Sequence, residues 1–136
     1  MSLNHHQHTI RVYYEDTDAG GIVYYANYLK FFERARTEWL RALGITQSNF
    51  LEQNIGFVVT KVAMDNKASA KLDDLLTITT TISRLKSASV VFSQQLVNQS
   101  ESILCTAEIK VACVDFSIAK PCIIPKSILG ALKRVS

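Results

Sequence analysis

One stretch of the chain constrains its fold more than any other, a helical repeat of large apolar residues from about Tyr28 to Leu43. Residues that recur at spacings of three and four lie on one side of an α-helix. The repeat consists of Leu29, Phe32, Ala35, Trp39 and Leu43. Because its apolar arc is broad, we expect this helix to be well buried. Gly44 follows at the position where a helix C-cap is expected.

Five other segments are rich in β-branched and aromatic residues or alternate apolar with polar side chains, which is typical of strands. They are Thr9–Tyr14, Phe57–Ala63, Leu76–Ser83, Val90–Val97 and Ile103–Cys113. Consecutive strands with short links pair antiparallel, and their apolar face needs a cover. The Tyr28–Leu43 helix is the one large apolar partner. We therefore predict an α+β fold in which one long central helix is wrapped by a curved antiparallel β-sheet.

The ends of the chain complete this arrangement. Residues 1–8 (MSLNHHQH) are polar and predict a flexible N-terminal tail, with residues 9–136 as a single domain. An alternative is that His5, His6 and His8 hold a metal ion. Short helices are predicted over Thr46–Gln53 and Pro125–Lys133, and the first and last strands of the open sheet have free edges through which a dimer could form.

Composition excludes several functions. The net charge is +3, and the basic residues are scattered rather than arranged in the stripe of a nucleic-acid binder. No apolar run is long enough to cross a membrane, and the N-terminus lacks the apolar core of a signal peptide, so we expect a cytoplasmic protein. Cys105, Cys113 and Cys122 form no C-x-x-C pair, and Cys105 and Cys113, which lie in one apolar alternation, are interpreted as small buried hydrophobic residues.

Catalytic groups are restricted by the histidines, all three of which precede residue 9. A Ser-His-Asp or Cys-His arrangement would need one of them as its base, and no nucleotide-binding glycine motif is present. Any acid–base chemistry therefore falls to a carboxylate, a tyrosine or a lysine. Glu33 and Glu38 lie among arginines on the predicted helix, where surface ion pairing is the expected role. Those arginines are Arg34, Arg36 and Arg41.

The acid-rich loop at residues 14–28 (YEDTDAGGIVYYANY) is the strongest candidate site. Its carboxylates, Glu15, Asp16 and Asp18, precede Gly20 and Gly21, which allow close approach of a ligand to the backbone. The helix that follows begins with unpaired N–H groups, which suit a developing oxyanion. The alternative is that Asp16 or Asp18 is only a helix N-cap.

The segment Arg11–Arg41 (RVYYEDTDAGGIVYYANYLKFFERARTEWLR) resembles the signature of the 4-hydroxybenzoyl-CoA thioesterase family of hotdog-fold enzymes. Within that family it is most similar to the acyl-CoA thioesterases encoded alongside the bacterial Tol–Pal envelope system. The similarity continues through residues 57–82 and 111–115. Its core is T-D-x-x-G-[IV]-V, here Thr17–Val23, between a first strand and a long helix.

The resemblance implies an acyl-CoA thioester hydrolase with Asp18 as the catalytic carboxylate and the backbone N–H of Tyr25 as the group that polarises the thioester carbonyl. It also implies that the substrate contacts Gly20, Gly21, Val23 and Tyr24. Glu33 is the second candidate carboxylate, because other hotdog subfamilies use a helix acid. The active site is expected at the interface of a homodimer, and dimers often pair into tetramers. No metal or organic cofactor is implied, and coenzyme A enters as part of the substrate.

Two positions depart from the family pattern. Many relatives have His where this chain has Tyr25, and a phenol is a poor base at neutral pH. Relatives commonly have Pro where this chain has Ser69, which puts the local strand geometry in question. Farther along the same segment, Asp73 and Asp74 are expected to shape a turn.

Several alternatives stay open. The chain could be a non-catalytic module that binds an acyl-carrier protein or an envelope complex, which would place it at the periphery of the inner membrane. It could be a hotdog dehydratase acting on 3-hydroxyacyl thioesters, although that chemistry usually uses a His. Asp18 could act as nucleophile or as general base. Five cations could contact the coenzyme A phosphates or simply be solvated: Lys61, Lys67, Lys71, Arg84 and Lys86.

Overall fold

A computed structural model of the chain describes residues 4–136 and places one long helix, α1 (Asn27–Ala42), at its centre. The predicted apolar face is buried, with Phe32, Ala35 and Trp39 at most 3% exposed. Helix α1 ends before Gly44, whose φ of +84° lies in the left-handed region that favours glycine. The helix predicted from the repeat is thus confirmed.

The helix packs against one six-stranded antiparallel sheet with the order β1-β3-β4-β5-β2, in which β6 pairs with β5. The strands are β1 (His5–Arg11), β2 (Ile55–Asn66), β3 (Leu75–Leu85), β4 (Ser89–Val97), β5 (Ile103–Asp115) and β6 (Lys120–Pro121). Two short helices, α2 (Gln47–Leu51) and α3 (Lys126–Arg134), complete the fold. The predicted α+β class is confirmed.

The core lies between α1 and the inner face of the sheet. Alternate residues of the middle strands point inward and are almost fully buried, among them Ile78 of β3, Phe92 of β4 and Ile109 of β5. The Phe92 and Trp39 rings meet edge to face with centroids 6.3 Å apart. This packing fixes the position of α1, and with it the loop that leads into the helix.

The predicted flexible tail over residues 1–8 is wrong for His5–His8. These residues are part of β1, which pairs with β3 from His5 opposite Thr81 to Arg11 opposite Leu75. The His6 ring stacks on Trp39, with centroids 6.3 Å apart. The strand was missed because it is stabilised by a partner about seventy positions away; residues 1–3 lie outside the described residues. Strand alternation places His5 on the opposite face from His6 and His8.

The predicted pairing of consecutive strands is wrong for β2. It pairs with β5, from Ile55 opposite Asp115 to Asn66 opposite Cys105, and not with β3. The link between β2 and β3 is not a tight hairpin, because its middle forms a bridge between Lys71 and Ile22. The chain therefore crosses from the edge formed by β2 to the position beside β1 before β3 begins.

As a result, β1 and β2 form the two edges of the sheet. Strand β2 has 12 residues, and the pairing with β5 turns Phe57, Val59, Val62 and Met64 to the inner face. Val59 is 50% and Val62 40% exposed. This apolar inner side of β2 is hereafter the β2 edge.

Two further predictions concern the cysteines and the membrane. Cys105 and Cys113 are buried, as predicted, and Cys122 is half-buried with its Sγ 3.4 Å from that of Cys113. In the described part of the chain, no helix combines the length and apolar character needed to span a membrane. Within residues 4–136, no three His, Cys, Asp or Glu side chains lie close enough together to hold a metal ion.

Candidate active site

The acid-rich loop folds into a tight hairpin from Thr17 to Val23. These two residues form a β-bridge, and the Asp18 N–H donates to the Ile22 carbonyl at 2.9 Å. Gly21 has a φ of +76°, so this position favours glycine. Gly20 is not left-handed; its N–H donates to Asp18 Oδ1 at 2.8 Å. The two glycines therefore have different roles.

A second segment braces this hairpin from the side. The Val23 N–H donates to the Ala70 carbonyl at 2.8 Å, and the Leu72 N–H donates to the Gly21 carbonyl at 3.0 Å. The Ala70 N–H in turn donates to the Tyr28 hydroxyl of α1 at 2.8 Å, and Tyr28 is only 1% exposed. The hairpin is thus connected to α1 through the segment Ser69–Leu72, hereafter the brace.

The predicted turn follows directly after this brace. Asp73 has a φ of +72°, and its carbonyl accepts a hydrogen bond from Arg11 Nη1 at 2.8 Å. Asp74 Oδ2 accepts the Lys71 N–H at 2.9 Å. The turn role predicted for both aspartates is confirmed.

The structure separates the roles of Asp16 and Asp18. Asp16 Oδ2 accepts the Tyr13 N–H at 2.9 Å and so closes a short 3₁₀ turn. The N-cap of α1 is Ala26, and no side chain caps it, so the N-cap alternative is wrong for both acids. In the described residues, Gly20 N–H is the one donor bonded to the Asp18 carboxylate, and Asp18 is exposed. Asp18 is therefore the acid of this pair that is open to a substrate.

A free backbone donor lies at the start of α1. The Tyr25 carbonyl accepts the Tyr28 N–H at 3.1 Å, but across residues 4–136 no hydrogen bond is made by the Tyr25 N–H. Tyr25 lies one residue before the N-cap Ala26, close to the positive end of the helix dipole. The Tyr24 and Tyr25 rings lie beside this donor, with centroids 5.1 Å apart and just over half of each exposed.

A cavity of about 210 Å³ opens next to this donor, and its lining includes Val23, Tyr25, Tyr28, Asn66 and Ser69. In the part of the chain that the structure describes, the Ser69 N–H makes no hydrogen bond. A proline at this position would therefore remove none. The departure at Ser69 costs the brace no hydrogen bond.

Glu33, the second candidate carboxylate, faces elsewhere. Its Oε1 accepts a hydrogen bond from Thr37 Oγ1 at 2.9 Å, and it lines a cavity of about 90 Å³ between α1 and the sheet. The cavity beside Tyr25 does not include it. The described chain thus does not bring Glu33 and Tyr25 to one cavity.

The arginines of α1 differ from the surface ion pairs predicted for them. Arg41 pairs with Glu38 on the surface, as expected. Arg36, however, is only 7% exposed, and its Nη1 donates to Gln94 Oε1 at 3.0 Å. Burial lowers the pKa of Arg36 to about 10, and the charge of Glu33 partly opposes this shift. The one sequence signal of this burial is that Arg36 directly follows Ala35 of the apolar repeat.

The structure sorts the five cations predicted as possible phosphate contacts. Lys61, Arg84 and Lys86 line one open cavity of about 430 Å³ on the outer face of the sheet, together with Lys110 and Glu108. Lys67 pairs with Asp65 at 3.0 Å, and Lys71 lies in the brace. Lys110 was missed because its neighbours come from different strands.

An exposed carboxylate beside a glycine turn, with a free N–H at the start of a central helix, is a site suited to acyl transfer. Residues 12–132 match the Thioesterase-like superfamily. The acyl-CoA thioesterase YbgC of Haemophilus influenzae is 50% identical over 127 residues, which cover 93% of each chain. The acyl-CoA thioester hydrolase YbgC of an Escherichia coli strain is 46% identical over 92% of this chain and 93% of that protein.

Solved structures agree with this similarity. A probable thioesterase from Bartonella henselae has a TM-score of 0.82 and 38% identity, covering 89% of this chain and 99% of that one. A DHNA-CoA thioesterase from Staphylococcus aureus has a TM-score of 0.92 at 22% identity, covering 96% and 90%, and thus shares the fold. The chain is a hotdog-fold protein of the thioesterase class. It belongs to the Thioesterase-like superfamily, which confirms the resemblance of the segment Arg11–Arg41 to hotdog-fold thioesterases.

Proposed function

We propose that this protein hydrolyses acyl-CoA thioesters with Asp18 as its catalytic carboxylate. The observation that carries the proposal is the pairing of an exposed Asp18, held by the Gly20 N–H at 2.8 Å, with the unbonded Tyr25 N–H at the start of α1. The names of the relatives at 46–50% identity support the same activity. Gly21, Val23 and Tyr24 complete the proposed substrate contacts around this loop.

Two routes are compatible with this geometry. Asp18 can attack the thioester carbonyl, which forms an acyl-aspartyl anhydride and releases the coenzyme A thiolate; water then cleaves the anhydride to the acid and regenerates the carboxylate. Alternatively, Asp18 takes a proton from a water molecule that attacks the carbonyl directly. In both routes the Tyr25 N–H stabilises the oxyanion. Because a thiol has a pKa of about 8.5, the thiolate leaves without a strong general acid.

The proposed reaction needs no metal or organic cofactor, since the carboxylate and the backbone donor supply both parts of the chemistry. Coenzyme A enters as part of the substrate. We place the protein in the cytoplasm, where acyl-CoA is formed, and a position at the periphery of the inner membrane stays a prediction.

We propose that the active form is a homodimer built on the β2 edge, with a tetramer as a pair of such dimers. Val59 and Val62 lie exposed on the inner side of this 12-residue strand, and a long apolar edge strand is a template for a further strand. Antiparallel pairing of β2 with a second copy would cover these residues and continue the sheet. Each active site would then include residues of both copies.

We propose that the cavity lined by Lys61, Arg84, Lys86 and Lys110 binds phosphate groups. Four cations around one anion, Glu108, give it a net positive field that attracts polyanions. Coenzyme A carries three phosphates, and an acyl-carrier protein is the alternative source of the same thioester. A non-catalytic module would bind the same phosphates through this cavity. Phosphate binding therefore does not separate the two functions, whereas a hydrolysis assay does.

The test is hydrolysis of acyl-CoA by the purified protein and by Asp18→Asn. Removing the base or nucleophile is expected to lower kcat at least about 100-fold, with unchanged oligomer size and circular dichroism. Asp16→Asn and Glu33→Gln are the matched carboxylate controls. Tyr25→Phe keeps the backbone donor, so its kcat should change by less than about tenfold, or 1.4 kcal/mol. Near wild-type turnover in Asp18→Asn, with loss in a control, would show that the assignment of Asp18 is wrong.

A further inference from the structure

The cavity between α1 and the sheet combines apolar walls with a small polar group. Its volume is about 90 Å³, and its walls include Leu40, Phe57, Phe92 and Leu132. Arg36 lines the same space. Apolar pockets with a few convergent polar groups are typical of small-ligand sites. The cavity is separate from the one beside Tyr25, so the proposed thioester chemistry does not yet use it.

Arg36 is a buried cation that forms no ion pair in the described chain. It is 93% removed from solvent, given its 7% exposure, and neither of the two ion pairs within residues 4–136 involves it. Its one hydrogen bond is to the neutral amide of Gln94. The Gln94 amide nitrogen is itself engaged by the Phe32 carbonyl and Thr80 Oγ1, both at 3.0 Å. The network therefore holds Arg36 in place and supplies no negative charge.

Arg36 lines the cavity, and in the described chain one of its guanidinium nitrogens has a hydrogen-bond partner. A guanidinium has five N–H donors, and one nitrogen is bonded to Gln94. In residues 4–136, the only side-chain nitrogen or oxygen that is both sealed from solvent and unbonded is His6 Nδ1. The other Arg36 nitrogens are thus not sealed in the core, and Arg36 is one of the residues that line this cavity.

Glu33 lines the rim of this cavity, and its charge acts on Arg36, but in residues 4–136 the two side chains form no ion pair. Thr37 Oγ1 donates to Glu33 Oε1 at 2.9 Å and accepts from Gln47 Nε2 at 3.2 Å, so the rim groups satisfy one another. Glu33 itself is exposed. A planar fork of donors in an apolar cavity is the arrangement that binds a carboxylate in a bidentate manner.

The catalytic loop that serves this cavity would come from a second copy. Arg36 lies nine residues along α1 from Asn27, which is about 14 Å at the helical rise, so a short acyl group held by the chain's own loop would not reach it. If β2 pairs antiparallel with itself about its midpoint, Asn66 of the second copy lies opposite Ile55. Asn66 lines the cavity beside Tyr25, and Phe57 lines the cavity of Arg36.

We propose that the Arg36 cavity binds the far end of a short acyl group that terminates in a carboxylate, while Asp18 of the second copy acts on its thioester. The preferred substrates are thus ω-carboxyacyl-CoA thioesters, such as succinyl-CoA. This inference rests on the proposed hydrolase function and on the dimer through β2. The small volume of the cavity favours a short acyl group.

The test compares succinyl-CoA with 4-methylpentanoyl-CoA, a neutral isostere, after subtraction of spontaneous hydrolysis. For the wild-type protein we expect kcat/KM to be at least about tenfold higher for succinyl-CoA. In Arg36→Met the ratio of the two kcat/KM values should fall below one, and Arg36→Lys should retain part of the preference. Arg34→Met, an exposed arginine on the same helix, is the control that keeps the wild-type ratio.

The ratio of the wild-type kcat/KM values for succinyl-CoA and 4-methylpentanoyl-CoA is informative even if Arg36→Met does not fold. Hydrolysis of both substrates with no preference for succinyl-CoA would overturn the role of Arg36 and leave the hydrolase function standing. An unchanged ratio in a folded Arg36→Met would do the same. If neither compound nor any other acyl-CoA is hydrolysed, the proposed function fails and the inference fails with it.

Discussion

The two edges of the sheet differ in length, composition and cover. Strand β1 has 7 residues, and its inner positions are His6, His8 and Ile10, each partly buried. Strand β2 has 12 residues, and its inner positions from Phe57 to Met64 are all apolar. An edge strand left long and apolar tends to pair with another chain, whereas a short polar one does not.

The packing beneath each edge explains the difference. Strand β1 lies over the C-terminal half of α1, where the His6 ring stacks on Trp39. Strand β2 extends beyond the cover that α1 supplies, so Val59 and Val62 stay 50% and 40% exposed. One edge is therefore complete within a single copy, and the other is completed by a second copy in the proposed dimer.

The largest expected effect comes from placing a charge on each edge in turn. Val62→Asp would bury an unpaired carboxylate in the proposed dimer interface, and we expect monomers by sedimentation. Hydrolysis should fall at least about 100-fold, since small displacements of catalytic groups have effects of that size. His8→Asp, the matched variant on the inner side of β1, should keep the dimer. A monomeric wild type with full activity, or loss of the dimer in His8→Asp instead, would contradict this comparison.

A smaller effect is expected at the start of β2. A Cβ atom added at Gly56 would lie 2.7 Å from Cε2 and 3.2 Å from Cζ of the Phe116 ring. Gly56→Ala therefore requires the ring to move, and overpacking of this kind costs about 1–3 kcal/mol of unfolding free energy. Urea unfolding measures it.

Gly130→Ala is the control for that variant. Gly130 lies in α3, and the nearest atom to its added Cβ, Arg134 Nη1, is 3.8 Å away. Alanine in a helix is more stable than glycine by about 0.5–1 kcal/mol, so this variant should be stabilised. Equal effects of the two substitutions would mean that Phe116 does not hold the start of β2.

The smallest effect concerns pH at the β1 edge. Burial lowers the pKa of His6 below its usual 6.5; the charges of His8 and His5 lower it further, and that of Glu38 opposes them. The neutral form is thus favoured in the folded state, and its contribution to stability is present above pH 6.5 and lost as pH falls through the lowered pKa. The melting temperature should therefore drop between pH 7.5 and 5.5, and less so in His6→Gln. His5→Gln, on the outer face, removes only the smallest of these contributions and should melt nearly like the wild type. A pH-dependent drop in His6→Gln as large as that of the wild type would argue against this role.

The elements predicted best are those whose residues interact with near neighbours in the chain. The repeat ending at Gly44 defines α1, and the alternation from Ile103 to Cys113 defines most of β5. His5–His8 were missed because their strand depends on pairing with Thr81–Ile78 of β3, which local pattern does not encode. The partner of β2 was missed because loop connections, and not strand patterns, decide which strands become neighbours.

The candidate site follows the same rule. Asp18 and the glycines were found because they are close in sequence, and the left-handed Gly21 confirms the expected turn. The brace around Ala70 was not foreseen, since backbone hydrogen bonds between distant segments have no residue signature. Arg36 was misassigned to the surface, because a charged residue on a helix is usually solvated and only the position of Gln94 reveals its burial.

The hydrogen bond from the Ala70 N–H to the Tyr28 hydroxyl offers a spectroscopic reporter. Backbone amides exchange with solvent deuterium only when their hydrogen bond opens, and this amide is bonded to a side chain of α1 at 2.8 Å. Its exchange therefore tracks separation of the brace from the helix, while the neighbouring Ser69 amide, which makes no hydrogen bond in the described chain, exchanges as the fast reference. The ratio of the two exchange rates measures how often the brace, which supports the loop that carries Asp18, separates from the start of the central helix.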